Sequence, residues 1–270
     1  MAKLGFIHYN WPGFTFDEFL RFAADLGAGY VELQLSDVCE NDAFDAERAA
    51  QVRRQVESHG LKVSALAARN DFLQSDAGEI AFQVARMAEV AVLSQILCDE
   101  PILRSEGGAP KDDVPQGRWG DALYECFARC AEFIDAMGVT LAIDNHGIVT
   151  NDGDLLIGLL KRLNHARIGS NLDTMNFRWA GHDVATCNRF YREMAPFVKH
   201  THLKDGFGSF KEYRGAALGE GEIDLAHALQ CLKDVGYDGV YLAEYEGKET
   251  AGGVGYRKCF EWMRANVAGP

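Results

Sequence analysis

The 270-residue chain carries 40 Asp and Glu against 27 Lys and Arg, a formal net charge of −13, and 47% of its residues are hydrophobic. No Lys/Arg run exceeds two residues, so the basic face with which nucleic-acid binders neutralise phosphates is missing, and anionic sugars should bind poorly unless a local Arg or Lys is placed for them. No window approaches the roughly 20 uninterrupted apolar residues of a membrane span, and the start, MAKLGFIHYNW, lacks a signal-peptide core; the expectation is a soluble, cytoplasmic protein without a membrane partner.

Apolar β-rich runs alternate with amphipathic stretches along the whole chain, the pattern of repeated βα units around a parallel sheet. In chain order the pairs are a strand at 3–8 with a helix at 16–27, then 29–35 with 44–59, 61–67 with 78–91, and 93–98 with 119–137. The second half repeats the scheme: 139–144 with 153–163, 167–172 with 183–195, 198–203 with 224–235, and 239–244 with 253–266. Gly27, Gly60, Gly138 and Gly236 each follow a last apolar turn and precede a strand, as helix C-caps do. Eight pairs without a linker or a composition break predict an α/β, single-domain (β/α)8 barrel over 1–270, a fold of about 250 residues. The longest loop, 98–118, holds Gly107, Gly108, Pro110 and Pro115 and reads as a lid or an interface. Seven scattered cysteines without a CxxC pair read as reduced, packed thiols; Cys126 and Cys130, four apart on a helix, lack the further ligands a structural zinc needs.

Four late segments each bury an apolar run and end on an acid or a histidine: LAIDNH (141–146), IGSNLDT (168–174), VKHTHLKD (198–205) and VYLAEYE (240–246). In a barrel of this kind active sites lie at the C-terminal strand ends, which is where Asp144, Asp173, His202 and Glu244 fall. Three carboxylates and an imidazole suit a divalent cation of intermediate hardness. An unpartnered carboxylate is costly to bury, and Lys204 is the only inward base in these segments, so a shared metal is the simpler solution. His200 faces the same side as His202, two residues away, and reads as its neighbour. Glu32, in YVELQL, is a fifth inward acid, either a substrate contact or a structural group that makes a buried hydrogen bond or pairs with Arg69. Trp11, Phe14 and Phe16 follow the first strand and Trp179 the sixth, where aromatic faces line a sugar site or simply pack the loops.

LAIDNH, LDT, HTHLKD, LGEGEID and GYDGVYLAEYE, in this order and spacing, resemble the xylose isomerase-like TIM barrel family of sugar epimerases, hydroxypyruvate isomerase, inosose dehydratase and dehydroshikimate dehydratase. The resemblance spans nearly the whole chain. It implies a metal, manganese first with magnesium, cobalt or zinc as alternatives, held by Asp144, Asp173, His202 and Glu244. It also implies, in the isomerase and epimerase branches, a proton-transfer pair at the strand-five and strand-eight acids, and a homo-oligomer, dimer or tetramer, as is common in the family. Two departures stand out. Asp144 occupies a position where the family usually has glutamate, one methylene longer, and Thr174, Met175, Asn176 and Phe177 follow the strand-six acid where epimerases often place a histidine. The HLKD continuation is closer to the dehydratase branches, and Arg214 stands where relatives place a substrate-binding arginine, at a longer spacing from His202.

The resulting expectation is a metal-dependent isomerase or epimerase of a ketose or keto-sugar, a small polyhydroxylated carbonyl compound, acting through an enediolate. Glu244 is the expected base, with Asp144, His146 or Lys204 returning the proton and His146, His200, Arg214, Glu32 and Trp11 contacting substrate. A lyase using the same site, a dehydratase or an enzyme cleaving a 3-keto-glycoside, is the alternative. An endonuclease IV-like phosphodiesterase would need more histidine ligands and a basic face.

Overall fold

In the computed structural model, which describes residues 2–39 and 44–267, eight parallel strands close into a barrel. They are β1 (Lys3–Ile7), β2 (Tyr30–Gln34), β3 (Lys62–Ala67), β4 (Ile102–Ser105), β5 (Thr140–Asp144), β6 (Ile168–Asp173), β7 (Val198–Leu203) and β8 (Val240–Ala243). Each pairs with its sequence neighbours and β1 pairs with β8. Strands covered on both faces must be apolar on both, and β8, VYLA, for example, is buried at every position. The fold is therefore a single (β/α)8 barrel, as the alternation predicts; residues 1 and 268–270 of the expected span, and 40–43 within it, lie outside the described residues.

The outer helices are α1 (Phe16–Leu26), α2 (Ala46–Ser58), α3 (Ala77–Leu97), α4 (Trp119–Met137), α5 (Gly153–Leu163), α6 (Val184–Met194), α7 (Leu225–Asp234) and α8 (Val254–Asn266). Six of the chain's 40 acids cap their N-termini. Asp45, Asp76, Asp152, Asp183 and Asp224 each accept backbone N–H groups of the first turn, and Thr15 forms a capping box with Glu18, which satisfies amides that no carbonyl can reach. Gly27 and Gly138 end α1 and α4 in the left-handed region, at φ 85° and 68°.

One strand differs from expectation. Residues 93–97 are not the fourth strand but the last turns of α3, and β4 begins after Pro101. Met87, Val90, Ala91, Ser94 and Leu97 are buried at helical spacing, so polar Ser94 sits on the inner face of a helix, and the apolar residues around it have period 3.6, not 2. The stretch read as one loop, 98–118, therefore contains β4. By length and composition α3 would also suit a membrane span; here it lies between α2 and α4 with that buried face against the barrel.

Close approach of strands requires glycine at β1. A Cβ on Gly5 would lie 2.0 Å from the Tyr30 carbonyl oxygen and 2.8 Å from a Leu242 methyl. Gly5→Ala should therefore force β1 away from β2 and cost about 1–3 kcal/mol, seen as a lower midpoint in urea unfolding with an unchanged slope.

Candidate functional site

The C-terminal ends of β2, β4, β5, β6, β7 and β8 bring together charged side chains that are nearly all shielded from water. Glu32, Arg104, Asp144, Asp173, His202, Lys204 and Glu244 are each under 10% exposed. Strand register supplies the juxtaposition: Asp173 is level with His202 across β6 and β7, Asp144 with Asn171 across β5 and β6, and Glu244 N–H donates to the Leu203 carbonyl.

Asp173, His202 and Glu244 form one group, with a ligand atom of each within 4.8 Å of the others. Asp173 Oδ1 accepts the backbone N–H groups of Met175 and Asn176, which leaves Oδ2 facing the group. Asp173 Oδ2 and His202 Nδ1 are buried without a well-directed hydrogen bond, although Lys204 Nζ is 3.1 Å from the first and Glu244 Oε2 3.1 Å from the second. The other imidazole nitrogen, Nε2, is 2.6 Å from Glu32 Oε2. A histidine with one nitrogen on a carboxylate and the other turned towards two acids has the arrangement of metal-bound histidines, in which the outer carboxylate fixes the ring and its tautomer. The donor set thus fits a divalent cation held by Asp173, His202 and Glu244, with Glu32 orienting the histidine.

Asp144, expected as the fourth ligand and as a catalytic group, is committed elsewhere. Its Oδ2 accepts from Arg104 Nη1 at 2.9 Å and its Oδ1 from Asn171 Nδ2 at 2.8 Å. Arg104 also donates Nε to Glu32 Oε1 at 2.7 Å, so one guanidinium ties the strand-two and strand-five acids together. Of the readings of Glu32 the buried hydrogen bond holds, with Arg104 and His202 as its partners and not Arg69, which is exposed in the loop after β3; Arg104, from outside the four acid-bearing segments, is a second inward base beside Lys204. Arg104 was missed because it fell in a stretch read as loop; the signal available was its place two residues after Ile102 in the short run ILRS that follows Pro101.

Electrostatics follow from this packing. Burial opposes the charge on Glu32, but His202 and Arg104 outweigh it and hold the carboxyl down to about 2. Burial likewise opposes a charged His202, yet Glu32 and Glu244 push its pKa up to about 10. His200, deeper in the barrel with Nδ1 3.0 Å from Asn171 Oδ1, is driven by burial down to about 4 against the pull of Glu32 and is neutral at pH 7. Burial raises the Asp173 carboxyl, with Lys204 opposing, whereas Lys204 and His202 overcome burial to keep Glu244 well below the carboxylate range. Burial pushes the Cys126 thiol up to about 12 and Cys130 higher still, which suits packed thiols and not zinc ligands.

The expected substrate contacts divide. His146 is exposed at the mouth, with Nδ1 3.8 Å from Asp144 Oδ2, and helps line a cavity of about 420 Å³ with Asn70, Glu106, Gly108 and Pro110. Arg214 lies on a two-stranded ribbon, Asp205–Phe207 with Arg214–Ala216, its guanidinium over the Phe207 ring. Trp11 is a packing residue: it is 8% exposed, stacks on Tyr256 with ring centroids 3.6 Å apart, and donates Nε1–H to the Ile7 carbonyl. Trp179 packs on Phe210. A larger cavity of about 690 Å³ opens at the other end of the barrel, among strand-start residues such as Lys3, Lys62 and Thr140, and is lined by none of the clustered acids.

Because Glu32 pairs with both Arg104 and His202 in a dry interior, removing its charge leaves Arg104 to Asp144 and His202 to Glu244. Glu32→Gln should destabilise the fold by roughly 3–5 kcal/mol, measured as loss of urea-unfolding free energy at pH 7. Glu32 has a depressed pKa, so its contribution is fully present above the ordinary glutamate value of 4.5 and is lost as pH falls through about 2. The gap between the variant and the parent should accordingly shrink in acid.

A family model for the xylose isomerase-like TIM barrel matches residues 20–266. A protein of Methanocaldococcus jannaschii, described as uncharacterised, is 23% identical over 128 residues, 46% of this chain, and the match spans 43% of that relative's length. Among solved structures, the IOLI protein with a bound zinc atom superposes with a TM-score of 0.80 at 16% identity, covering 99% of this chain and 98% of that one. A D-psicose 3-epimerase crystallised with D-fructose does so with a TM-score of 0.74 at 17% identity over 99% and 100%. At these identities the structural likeness speaks for the fold, and the family match carries the assignment: the chain belongs to the xylose isomerase-like TIM barrel family.

Proposed function

We propose that the protein is a metal-dependent isomerase or epimerase of a small polyhydroxylated carbonyl compound, a ketose, an inosose or a keto-sugar. The observation that carries this reading is the convergence of Asp173, His202 and Glu244 at the C-terminal end of the barrel, with the far nitrogen of His202 held by Glu32. The zinc in one structural relative and the sugar in another are in keeping with it.

Asp173, His202 and Glu244 would hold the cation, manganese first, with magnesium, cobalt or zinc as alternatives. When bound, a divalent ion stabilises negative charge developing on a substrate oxygen as the neighbouring carbon loses its proton. Glu244, kept ionised by Lys204 and His202, is the group that takes that proton. Lys204, within 3.7 Å of both Glu244 and Glu246, is the ammonium that can return a proton to a substrate oxygen, and exposed His146 is the group free to do so at the mouth. The remaining polar groups position these: Asn145 holds the backbone of Asp173 through its N–H and carbonyl, and Thr174 Oγ1 bonds both the N–H and the carbonyl of Lys204.

One observation favours the lyase reading as the second choice. A two-base epimerase needs two free carboxylates on opposite faces of the substrate, and Asp144 has an oxygen in each of two hydrogen bonds, to Arg104 and Asn171. One carboxylate base beside one ammonium acid suits loss of a β-hydroxyl or of a glycosidic oxygen, protonated as it leaves.

Proton NMR of the manganese-supplemented protein in D2O with ketohexoses, inososes and 3-keto-glycosides separates these. Deuterium next to the carbonyl with every hydroxyl kept is the expected result, loss of a hydroxyl or an aglycone would make the enzyme a lyase, and no exchange with any member would overturn both. Glu244→Gln should lower the exchange rate by about 10²–10⁴-fold. A further expectation concerns metal uptake. Because His202 titrates near 10, it is protonated at pH 7 and must lose that proton to coordinate. Calorimetric titration with Mn(II) in buffers of different ionisation heats should thus show about one proton released per ion, and affinity should rise with pH until about pH 10.

A further inference from the structure

Lys204 follows β7 directly, and its side chain is only 4% exposed. Its ammonium lies 2.9 Å from Glu244 Oε1, 3.1 Å from Asp173 Oδ2 and 3.7 Å from Glu246 Oε2. Since Asp173 Oδ1 is taken by two backbone N–H groups, Asp173 can bind a cation only through Oδ2, the oxygen that Lys204 faces. The ammonium and a divalent ion would then share both a carboxylate oxygen and a water-poor interior, where like charges repel far more strongly than in solvent.

Glu246 offers the lysine another place. It stands two residues beyond Glu244, is 24% exposed, and is fixed by the Tyr213 hydroxyl, which donates to its Oε2 at 2.7 Å. A lysine stem is flexible enough to carry its ammonium between neighbouring carboxylates, where the rigid fork of an arginine is not. The contrast within this site is direct: Arg104 is anchored on Glu32 and Asp144 at once, while Lys204 points at three oxygens of three different acids.

We propose that Lys204 is a built-in competitor of the divalent cation: its ammonium and the ion are alternative occupants of the space between Asp173 and Glu244, and loading the ion moves Lys204 onto Glu246. This rests on the reading of Asp173, His202 and Glu244 as metal ligands. Lys204 thereby compensates two buried carboxylates whenever the ion is away and sets how tightly the ion is held. After the exchange its ammonium stands at the mouth of the barrel, on the side from which substrate enters.

The test is calorimetric titration of the chelator-treated full-length chain with Mn(II), for the wild type, Lys204→Met, Glu246→Gln and the double variant, with thermal unfolding of each. Lys204→Met should bind Mn(II) at least tenfold more tightly than wild type, while its metal-free unfolding temperature falls below that of wild type. Glu246→Gln should bind at least threefold more weakly, and the same change in the Lys204→Met background should have no effect, because Glu246 acts through Lys204. Equal or weaker binding by Lys204→Met, with the wild type binding Mn(II), would overturn the proposal and leave the metal site standing. Weakening by Glu246→Gln in both backgrounds would also overturn it, by assigning the effect to Glu246's own charge. Absence of Mn(II) binding in the wild type and in Lys204→Met alike would remove the metal reading together with the proposal. Should Lys204→Met fail to fold, Lys204→Gln, which also removes the ammonium, takes its place in each comparison with the same outcomes.

Discussion

Carboxylates cannot be buried in numbers without cations to meet them. This barrel buries Glu32, Asp144, Asp173 and Glu244 at one end, and the arrangement of the whole site follows from how they are met. Arg104 joins Glu32 to Asp144, His202 joins Glu32 to Glu244, and Lys204 joins Glu244 to Asp173. The result is one chain of alternating charge running across the barrel from β5 through β4, β2 and β7 to the ends of β8 and β6. Within it the members differ in freedom: the guanidinium is anchored on two strands, while the Asp173 and His202 atoms nearest Glu244 lack well-directed partners. Loose ends in an otherwise satisfied network are where a further cation can enter.

That network also accounts for the pairing of the strand-five acid, Asp144. A glutamate at residue 144 would project one methylene farther towards the other ligands. The aspartate stops short, and its two oxygens are within reach of Arg104 and Asn171. The shorter acid and the strand-four arginine are thus one feature, in which each Asp144 oxygen has a hydrogen-bond donor. Beside that pair the site holds an ionised glutamate, a buried ammonium and the candidate group of Asp173, His202 and Glu244.

Most of the fold was legible because its signals are local. Apolar runs of strand length, helices capped by aspartate and closed by glycine, and eight repeats of the same unit are all set by nearest neighbours along the chain, and seven of the eight strands lie where the pattern puts them. The fourth failed for a physical reason. VLSQIL is apolar enough to be a buried strand, yet its residues continue the inward stripe of α3, and over so short a run the two periods cannot be told apart. That single misplacement hid Arg104, and with it the true partner of Glu32. Trp11 shows the opposite error: a position just past a strand suggested a ligand wall, but the surrounding Phe6, Phe19, Phe22 and Tyr256 rings claim its faces.

By itself the sequence determined the barrel, the end at which the acids gather and the residue types present there, since strand ends are fixed by local pattern and the fold dictates which way they point. Only the tertiary structure decided the pairing. Glu32 and Arg104 are 72 residues apart, and Glu32 and His202 are 170 apart, so no local spacing relates them. Barrel closure sets which inward side chains share a level, and interactions of charge in a dry interior are decided by distances of a few ångströms in space, not by position along the chain.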